Sequence, residues 1–407
     1  MQALPCRESE AGLSLESRLD GYLRESVEAA QRREQSAFDE LACPYERSLV
    51  LFGAGGLGKR TLAGLRRVGI EPRAFCDNSP GLWGRQVEGV PVYSPQNAAE
   101  KFGANCAFLI TIWTGQGKDR MAQRVRQLTD LGCERVIPAG FLFWKYHETF
   151  LPYYPLDLPH KLLLRKAEAK AAFHLWEDEI SRKEYVAQIA FRLYLDYDSL
   201  GSPASPSRYF PAELFCLTPQ ETLIDCGAFD GDTIVGFTAE RGSGFERILA
   251  FEPDPLNWTK LQDTLAAMPD SIRSKVTAFQ CAVGASTGIV KFNATGTDLS
   301  STGSGTLSVD CVELDKMLAN EAPTLMKFDI EGAELDALAG GREVIRRNRP
   351  ILAVSAYHQQ SHLWEVPEGI RSISETYRYL LRPQGTEGWD LVCYAAPVDR
   401  LAAGVTA

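Results

Sequence analysis

The chemistry available to this chain is concentrated in three short stretches. In ETLIDCGAFDGDTIVGF, at 221–237, Asp225 ends an apolar run, and Gly227, Asp230, Gly231 and Asp232 follow at once. Glycines at such spacing let a strand turn sharply into a helix and let a ligand approach the backbone closely. Glu252, in RILAFEPDP, ends the next apolar run 21 residues beyond Gly231, and Pro253 stops that strand. A carboxylate there is placed to accept hydrogen bonds from both hydroxyls of a ribose. The three aspartates would repel a pyrophosphate, each close like-charge pair costing ~1 kcal/mol or more. They suit a nucleoside with a cationic tail. S-adenosylmethionine fits: it carries an ammonium and a sulfonium and no phosphate.

The second stretch is split between KFDIEGAE (327–334) and AYHQQSHLW (356–364). Displacement at a sulfonium methyl demands positioning of the nucleophile, exclusion of water and, for a hydroxyl, a general base. His358, after a strand end and near Asp329, is the candidate base; His362 reads as a loop histidine satisfied by solvent. Lys327 alternates with Asp329 on the strand, where it is placed to tether a carboxylate. Asp329, Glu331 and Glu334 have the chemistry of magnesium ligands, but Glu331-Gly-Ala-Glu334 also reads as the acidic first turn of a helix, which needs no metal. No metal is expected. Trp364, Tyr357 and Tyr209 offer flat faces to a sugar ring, with packing as the simpler role.

The third stretch, VLFGAGGLGKR at 50–60, sets Gly53, Gly55 and Gly58 as G-x-G-x-x-G between a strand and a helix. Lys59 and Arg60 follow, and Asp77 ends the next strand 19 residues past Gly58. Helix amides and cations together suit a pyrophosphate, so this loop reads as a nucleotide site of opposite electrostatics.

DCGAFDGDT, FEPDP, QCAVG and KFDIEGAE, in this order, resemble the FkbM family of S-adenosylmethionine-dependent methyltransferases, over roughly 207–397. The resemblance implies that Asp225, Gly227 and Gly231 line the methionine and ribose side and that Glu252 binds the ribose. It also implies that Ala228, Phe229, Asp232, Thr233, Pro253 and Ala282 contribute to the cofactor site, as do Asp329 and Glu331, which face the methyl-transfer centre, where Asp329 and His358 are the candidate catalytic residues. RYFPAELF and YHQQSHLWEVPEGI resemble a subset of the family that accompanies polysaccharide or sugar-modifying genes, which implies a sugar-containing small-molecule acceptor. The first loop, continued by FCDNSP and WGRQVEGVPVYSP, resembles the nucleotide-sugar-binding domains of sugar acyltransferases. A dinucleotide site has the same pattern. A nicotinamide-dependent oxidoreductase and a non-catalytic nucleotide-binding scaffold therefore stand as alternatives to the methyltransferase.

The elements that must hold these residues alternate strand and helix twice, so the expected fold is α/β, with two doubly wound Rossmann-like domains. The expected division is a helical segment at 1–45, a nucleotide-binding domain at 46–150, a helical connector and linker at 151–206, and a methyltransferase domain at 207–407. SLGSPASPS marks the linker, and the Gly, Ser and Thr-rich run 285–308 reads as a loop or short hairpin. Composition agrees with a globular chain: 407 residues, 45% apolar and 24% charged. A net charge of −10 argues against nucleic-acid binding. No apolar run is long enough to span a membrane, and no secretory signal is apparent, so the expected location is cytoplasmic. The ten cysteines show no C-x-x-C spacing and read as reduced core thiols. Assembly into a homo-oligomer is compatible with all of this.

Overall fold

A computed structural model describes residues 12–115, 119–203, 209–296, 301–302 and 305–405. The chain divides into two compact units. The first comprises Met1–Lys170, Val186–Ser202 and Gly385–Trp389, and the second Ala171–Tyr185, Pro203–Gln384 and Asp390–Ala407. Both are mixed α/β with parallel-dominated sheets.

The first unit holds β1 (Leu49–Phe52), β2 (Ala74–Cys76), β3 (Gln86–Val87), β4 (Val90–Tyr93), β5 (Ala107–Ile110) and β6 (Arg135–Pro138). Their order is β3-β4-β2-β1-β5-β6, parallel except for the β3–β4 pair. LVLF and AFLI are buried at every position, as strands covered on both faces require. Helices Leu15–Tyr22 and Val27–Ala42 precede β1, capped by Ser14 and Ser26 respectively. The second of these buries Ala30, Glu34, Phe38 and Ala42 along one stripe. Glu34 receives the backbone N–H of His160 at 2.7 Å and faces its ring at 2.8 Å. Despite its polar composition, this helix is therefore exposed over only part of its surface.

The second unit contains β7 (Thr222–Cys226), β8 (Arg247–Phe251), β9 (Val276–Phe279), β10 (Ala282–Val283), β11 (Gly288–Asn293), β12 (Ser301–Thr302), β13 (Leu307–Val312), β14 (Leu325–Phe328), β15 (Ile351–Ser355), β16 (Tyr377–Pro383) and β17 (Leu391–Pro397). Seven strands form one sheet in the order β16-β17-β15-β14-β7-β8-β9. All neighbours are parallel except β17, which is antiparallel to both β15 and β16. From β7 the chain moves out to β8 and β9 on one side, then crosses to β14 on the other. That reversal opens a crevice at the carboxyl ends of β7 and β14, where open α/β sheets bind ligands. Of the loop or short hairpin expected for the Gly, Ser and Thr-rich run, the paired form is found: β11 pairs antiparallel with β13 from Gly288↔Cys311 to Phe292↔Leu307, within a separate four-stranded sheet.

The expected connector 151–206 is shared between the units. Phe191, Leu195 and Tyr197 enter the core of the first. Within the second, Ser181 Oγ accepts the Leu381 N–H at 2.9 Å, and Asp178 pairs with Arg382. Of SLGSPASPS, residues 204–207 lie outside the described residues.

Candidate active site

The loop after β7 is built by glycines that tolerate what other residues do not. Gly227 has φ +87°, and a Cβ there would lie 2.0 Å from the Asp329 carbonyl oxygen, so the loops after β7 and β14 cross in direct contact. Gly231, at φ +92°, caps the helix Asp232–Arg241, and its missing Cβ leaves room for Thr264 and Leu261. Phe229 between them is also left-handed, at φ +50°. Asp230 and Asp232 are spent locally: Asp230 Oδ1 accepts the Asp232 N–H at 3.2 Å, and Asp232 Oδ1 accepts the Thr233 N–H at 2.7 Å.

Asp225 is different. It is fully buried, and no backbone N–H or hydroxyl among the described residues donates to either carboxylate oxygen. The register that pairs Lys327 with Asp225 brings the lysine Nζ to 3.0 Å from Oδ1, and the same ammonium donates to the Gly227 carbonyl at 2.6 Å. The lysine thus tethers Asp225, rather than the Asp329 on its own strand. Burial outweighs the cation and pushes the Asp225 carboxyl above its ordinary range.

Glu252, one residue past β8, clasps this loop from the side. Its Oε2 accepts the Phe229 N–H at 2.9 Å and its Oε1 the Asp254 N–H at 2.8 Å. Burial pushes its carboxyl up to about 7, against the pull of those amides. Pro253 follows, and Asp254 caps the helix Pro255–Ala267 while also accepting the Gly296 N–H at 2.9 Å. Ala228 is buried in the core, and Thr233 is buried in the first turn of the helix. Ala282 lies on β10, paired with Cys311 of the smaller sheet, and takes no part in this hydrogen-bond network.

Across the crevice, Asp329 follows β14. The Tyr209 hydroxyl donates to its Oδ2 and the Ser355 hydroxyl to its Oδ1, each at 2.7 Å. Glu331 has a left-handed backbone, φ +54°, followed by Gly332 at +104°. His358, beyond the end of β15, is buried with its Nδ1 2.8 Å from Glu334 Oε1. Its Nε2 lies 3.3 Å from Glu331 Oε1 and 3.4 Å from Asp329 Oδ1. Burial alone would lower the imidazole, but Glu334 and Glu331 hold it well above its ordinary value. Glu334 in turn is held far below the carboxylate range: burial would raise it, and the facing imidazoles of His358 and His362 prevail. His362 is buried, with Nδ1 3.3 Å from Glu334 Oε2, and is not the solvated loop residue expected. Trp364 and Tyr357 are buried and pack; Tyr209 serves through its hydroxyl and lies under Lys327, 5.1 Å from Nζ to ring centroid.

The residues with the chemistry of this site that were assigned no part in it are Ser355 and Glu334 as a histidine partner. Glu334 stood in KFDIEGAE but read as a helix cap. Ser355 had no signal beyond its place at a strand end. Among the described residues no group of three or more His, Cys, Asp and Glu is arranged to hold a metal.

The glycine loop of the first unit has a parallel construction. Asp77 Oδ2 accepts the Ala54 N–H and its Oδ1 the Ser79 N–H, each at 2.8 Å, so the acid after β2 clasps the loop as Glu252 does. A Cβ on Gly58 would lie 2.0 Å from the Gly53 carbonyl oxygen, and one on Gly53 would meet Ile112 and Thr111. These two glycines serve close packing. Gly55 faces open space ahead of the helix Gly56–Arg67, and Lys59 is exposed.

Residues 225–381 match the family model of the methyltransferase FkbM domain. No curated protein matches the chain. Among solved structures, the methyltransferase FkbM from Methylobacillus flagellatus KT is similar over 94% of this chain and 100% of its own, with TM-score 0.74 and 23% identity. The precorrin-6y C5,15-methyltransferase from Geobacter metallireducens GS-15 overlaps 44% of this chain and 80% of its own, with TM-score 0.27 and 12% identity. The crevice with its buried Asp225, its Glu252 clasp and its Asp329–His358 cluster therefore lies within the stretch, residues 225–381, that is similar to the methyltransferase FkbM domain.

Proposed function

We propose that the second unit is an S-adenosylmethionine-dependent methyltransferase acting on a hydroxyl of a small, sugar-containing acceptor. The observation that carries the reading is Asp225: a fully buried carboxylate at the mouth of a glycine turn, with one cation beside it and, among the described residues, no backbone N–H or hydroxyl donating to either oxygen. A buried charge left so poorly satisfied is costly unless a ligand completes its shell. An ammonium is the group that would do so. Glu252 would take the ribose hydroxyls, with Gly227 and Gly231 allowing the backbone to approach. When bound, S-adenosylmethionine supplies a methyl group on a sulfonium, an electrophile whose leaving group departs as a neutral thioether. The chain's own task is to hold the acceptor oxygen in line, exclude water and receive a proton. The neighbouring carboxylates favour an uncharged hydroxyl over a phosphate at that point.

Calorimetric titration of the full chain with S-adenosylmethionine tests this. Wild type should bind one equivalent, and Glu252→Ala should weaken binding by ~1.5–3 kcal/mol, the worth of lost charge-assisted bonds. Unchanged affinity in a folded Glu252→Ala variant would remove the assignment.

For the first unit the exposed Lys59 and the open Gly55, ahead of a helix N-terminus, favour a nucleotide-sugar or dinucleotide. Titration with NAD(H) and nucleotide-sugars separates that reading from a scaffold that binds neither. Binding of NAD(H) without S-adenosylmethionine would put the oxidoreductase in place of the methyltransferase.

A further inference from the structure

Three groups on the acceptor side of the crevice exchange protons near neutrality in other settings: His358, Asp329 and Glu331. A base needs a bare lone pair. His358 has none to offer, because Nδ1 sits on Glu334 at 2.8 Å and Nε2 faces Glu331 at 3.3 Å and Asp329 at 3.4 Å. Three carboxylates around one buried ring favour the form with both nitrogens protonated. Asp329 is already engaged, since the Tyr209 and Ser355 hydroxyls donate to its two oxygens. Glu334 is fully buried and committed to His358 and to the Ile330 N–H at 2.9 Å.

Glu331 remains. Its only ion-pair contact among the described residues is the His358 ring, and its side chain keeps 16% exposure where that of His358 keeps 1%. It also holds a left-handed backbone, a strain of about 1–3 kcal/mol for a residue other than glycine, which persists only where the surroundings impose it and clusters at functional sites. Burial moves its carboxyl upward from the ordinary value, with His358 opposing in part.

We propose that Glu331 is the catalytic base that takes the proton of the acceptor hydroxyl, and that His358, fixed by Glu334, is a permanently cationic positioning residue beside it. The proposal rests on the methyltransferase reading above. As the new O–C bond forms and the C–S bond of the methyl donor breaks, with its electron pair left on sulfur, the hydroxyl proton passes to Glu331. Glu331 becomes a neutral carboxylic acid, and His358 keeps its charge throughout. The charged and titratable groups facing this pair are Asp329, after β14, Glu334, from the following helix, and Tyr357; His362 lies behind Glu334, and Lys327 and Tyr209 lie behind Asp329.

The test is a nuclear magnetic resonance titration of the full chain, which needs no knowledge of the acceptor. With five histidines, long-range proton–nitrogen spectra of labelled imidazoles resolve each ring, and His358→Gln assigns the one of interest. Should that variant fail to fold, substitution of the other four assigns it by difference. Both nitrogens of His358 should stay protonated from about pH 6 to 8. The carboxyl carbon signal missing from Glu331→Gln should titrate above the ordinary glutamate value, and the same variant should lower the His358 midpoint. A neutral His358 with a bare Nε2 at neutral pH would overturn the proposal, as would a Glu331 carboxyl titrating at or below the ordinary value. A loss of more than about tenfold in S-adenosylmethionine affinity in Glu331→Gln would also overturn it, by placing Glu331 on the cofactor side. Failure of wild type to bind S-adenosylmethionine at all would instead sink the reading beneath it, and is seen in calorimetry independently of the spectra.

Discussion

Glu252 and Gly227 show how single residues set the properties of the crevice. With its carboxyl raised from an ordinary 4.5 to about 7, Glu252 should have opposite effects on the proposed ligand binding and on folding across the same pH window. Its contribution to folding stability is fully present below the unfolded value and is lost as pH rises through about 7, because the buried charge is disfavoured. On the proposed reading, the ionised form is the one that would accept ribose hydroxyls. S-adenosylmethionine affinity should therefore rise from pH 6 to 8 and level off above, and Glu252→Gln should flatten that profile in calorimetry; a flat wild-type profile would exclude this role. Gly227→Ala acts on shape alone. A methyl 2.0 Å from the Asp329 carbonyl, at φ +87°, forces the two loops apart. We expect a loss of at least ~2 kcal/mol in denaturant unfolding together with loss of binding. A fully stable, fully binding variant would mean that the crossing is looser than drawn.

At the scale of elements, the amino end of the same sheet is held by a separate polar cluster. Glu221, just before β7, is fully buried; it accepts the Thr218 N–H at 2.6 Å and the Thr324 hydroxyl, and pairs with Arg400 at 2.7 Å. It joins the approaches to β7 and β14 to the segment after β17, at the end of the sheet opposite the crevice. Glu221→Ala leaves a mostly buried guanidinium without its partner, which costs ~3–5 kcal/mol where burial is complete and somewhat less here. Urea unfolding should show that loss, while the folded fraction keeps its S-adenosylmethionine affinity. An effect on affinity as large as that on stability would show that the cluster also shapes the site.

For the whole molecule, the units are compact but not consecutive in sequence, since 171–185 belong to the second unit and 186–202 to the first. Within the second unit, Trp176 is buried and bridges to Tyr379, the Glu177 N–H donates to the Tyr379 carbonyl at 2.9 Å, and Asp178 pairs with Arg382. A fragment beginning at 207 lacks all of these and leaves β16 short of its cover. It should unfold at lower denaturant than a fragment beginning at 171, by ~2 kcal/mol or more from lost apolar burial and the broken ion pair. Equal midpoints would show that 171–185 contribute nothing to this unit.

The sequence by itself determined what depends on near neighbours along the chain. Strand-then-turn patterns at Thr222–Cys226 and Leu49–Phe52, the glycines with positive φ, and the acids that end β2 and β8 were all legible, because each answers to a local rule of burial, backbone freedom or spacing. The tertiary structure decided which charges meet. Lys327 reaches Asp225, about a hundred residues earlier, because β14 is laid against β7 in that register. His358 is caged rather than free because Glu334, in a helix after β14, is brought beneath the loop after β15. Gly288–Asn293 became a strand of a four-stranded sheet, and 151–206 were divided between two cores. A residue's type fixes what it can do, but its charge state and partners are fixed by the dielectric and by groups that folding alone brings within 3 or 4 Å.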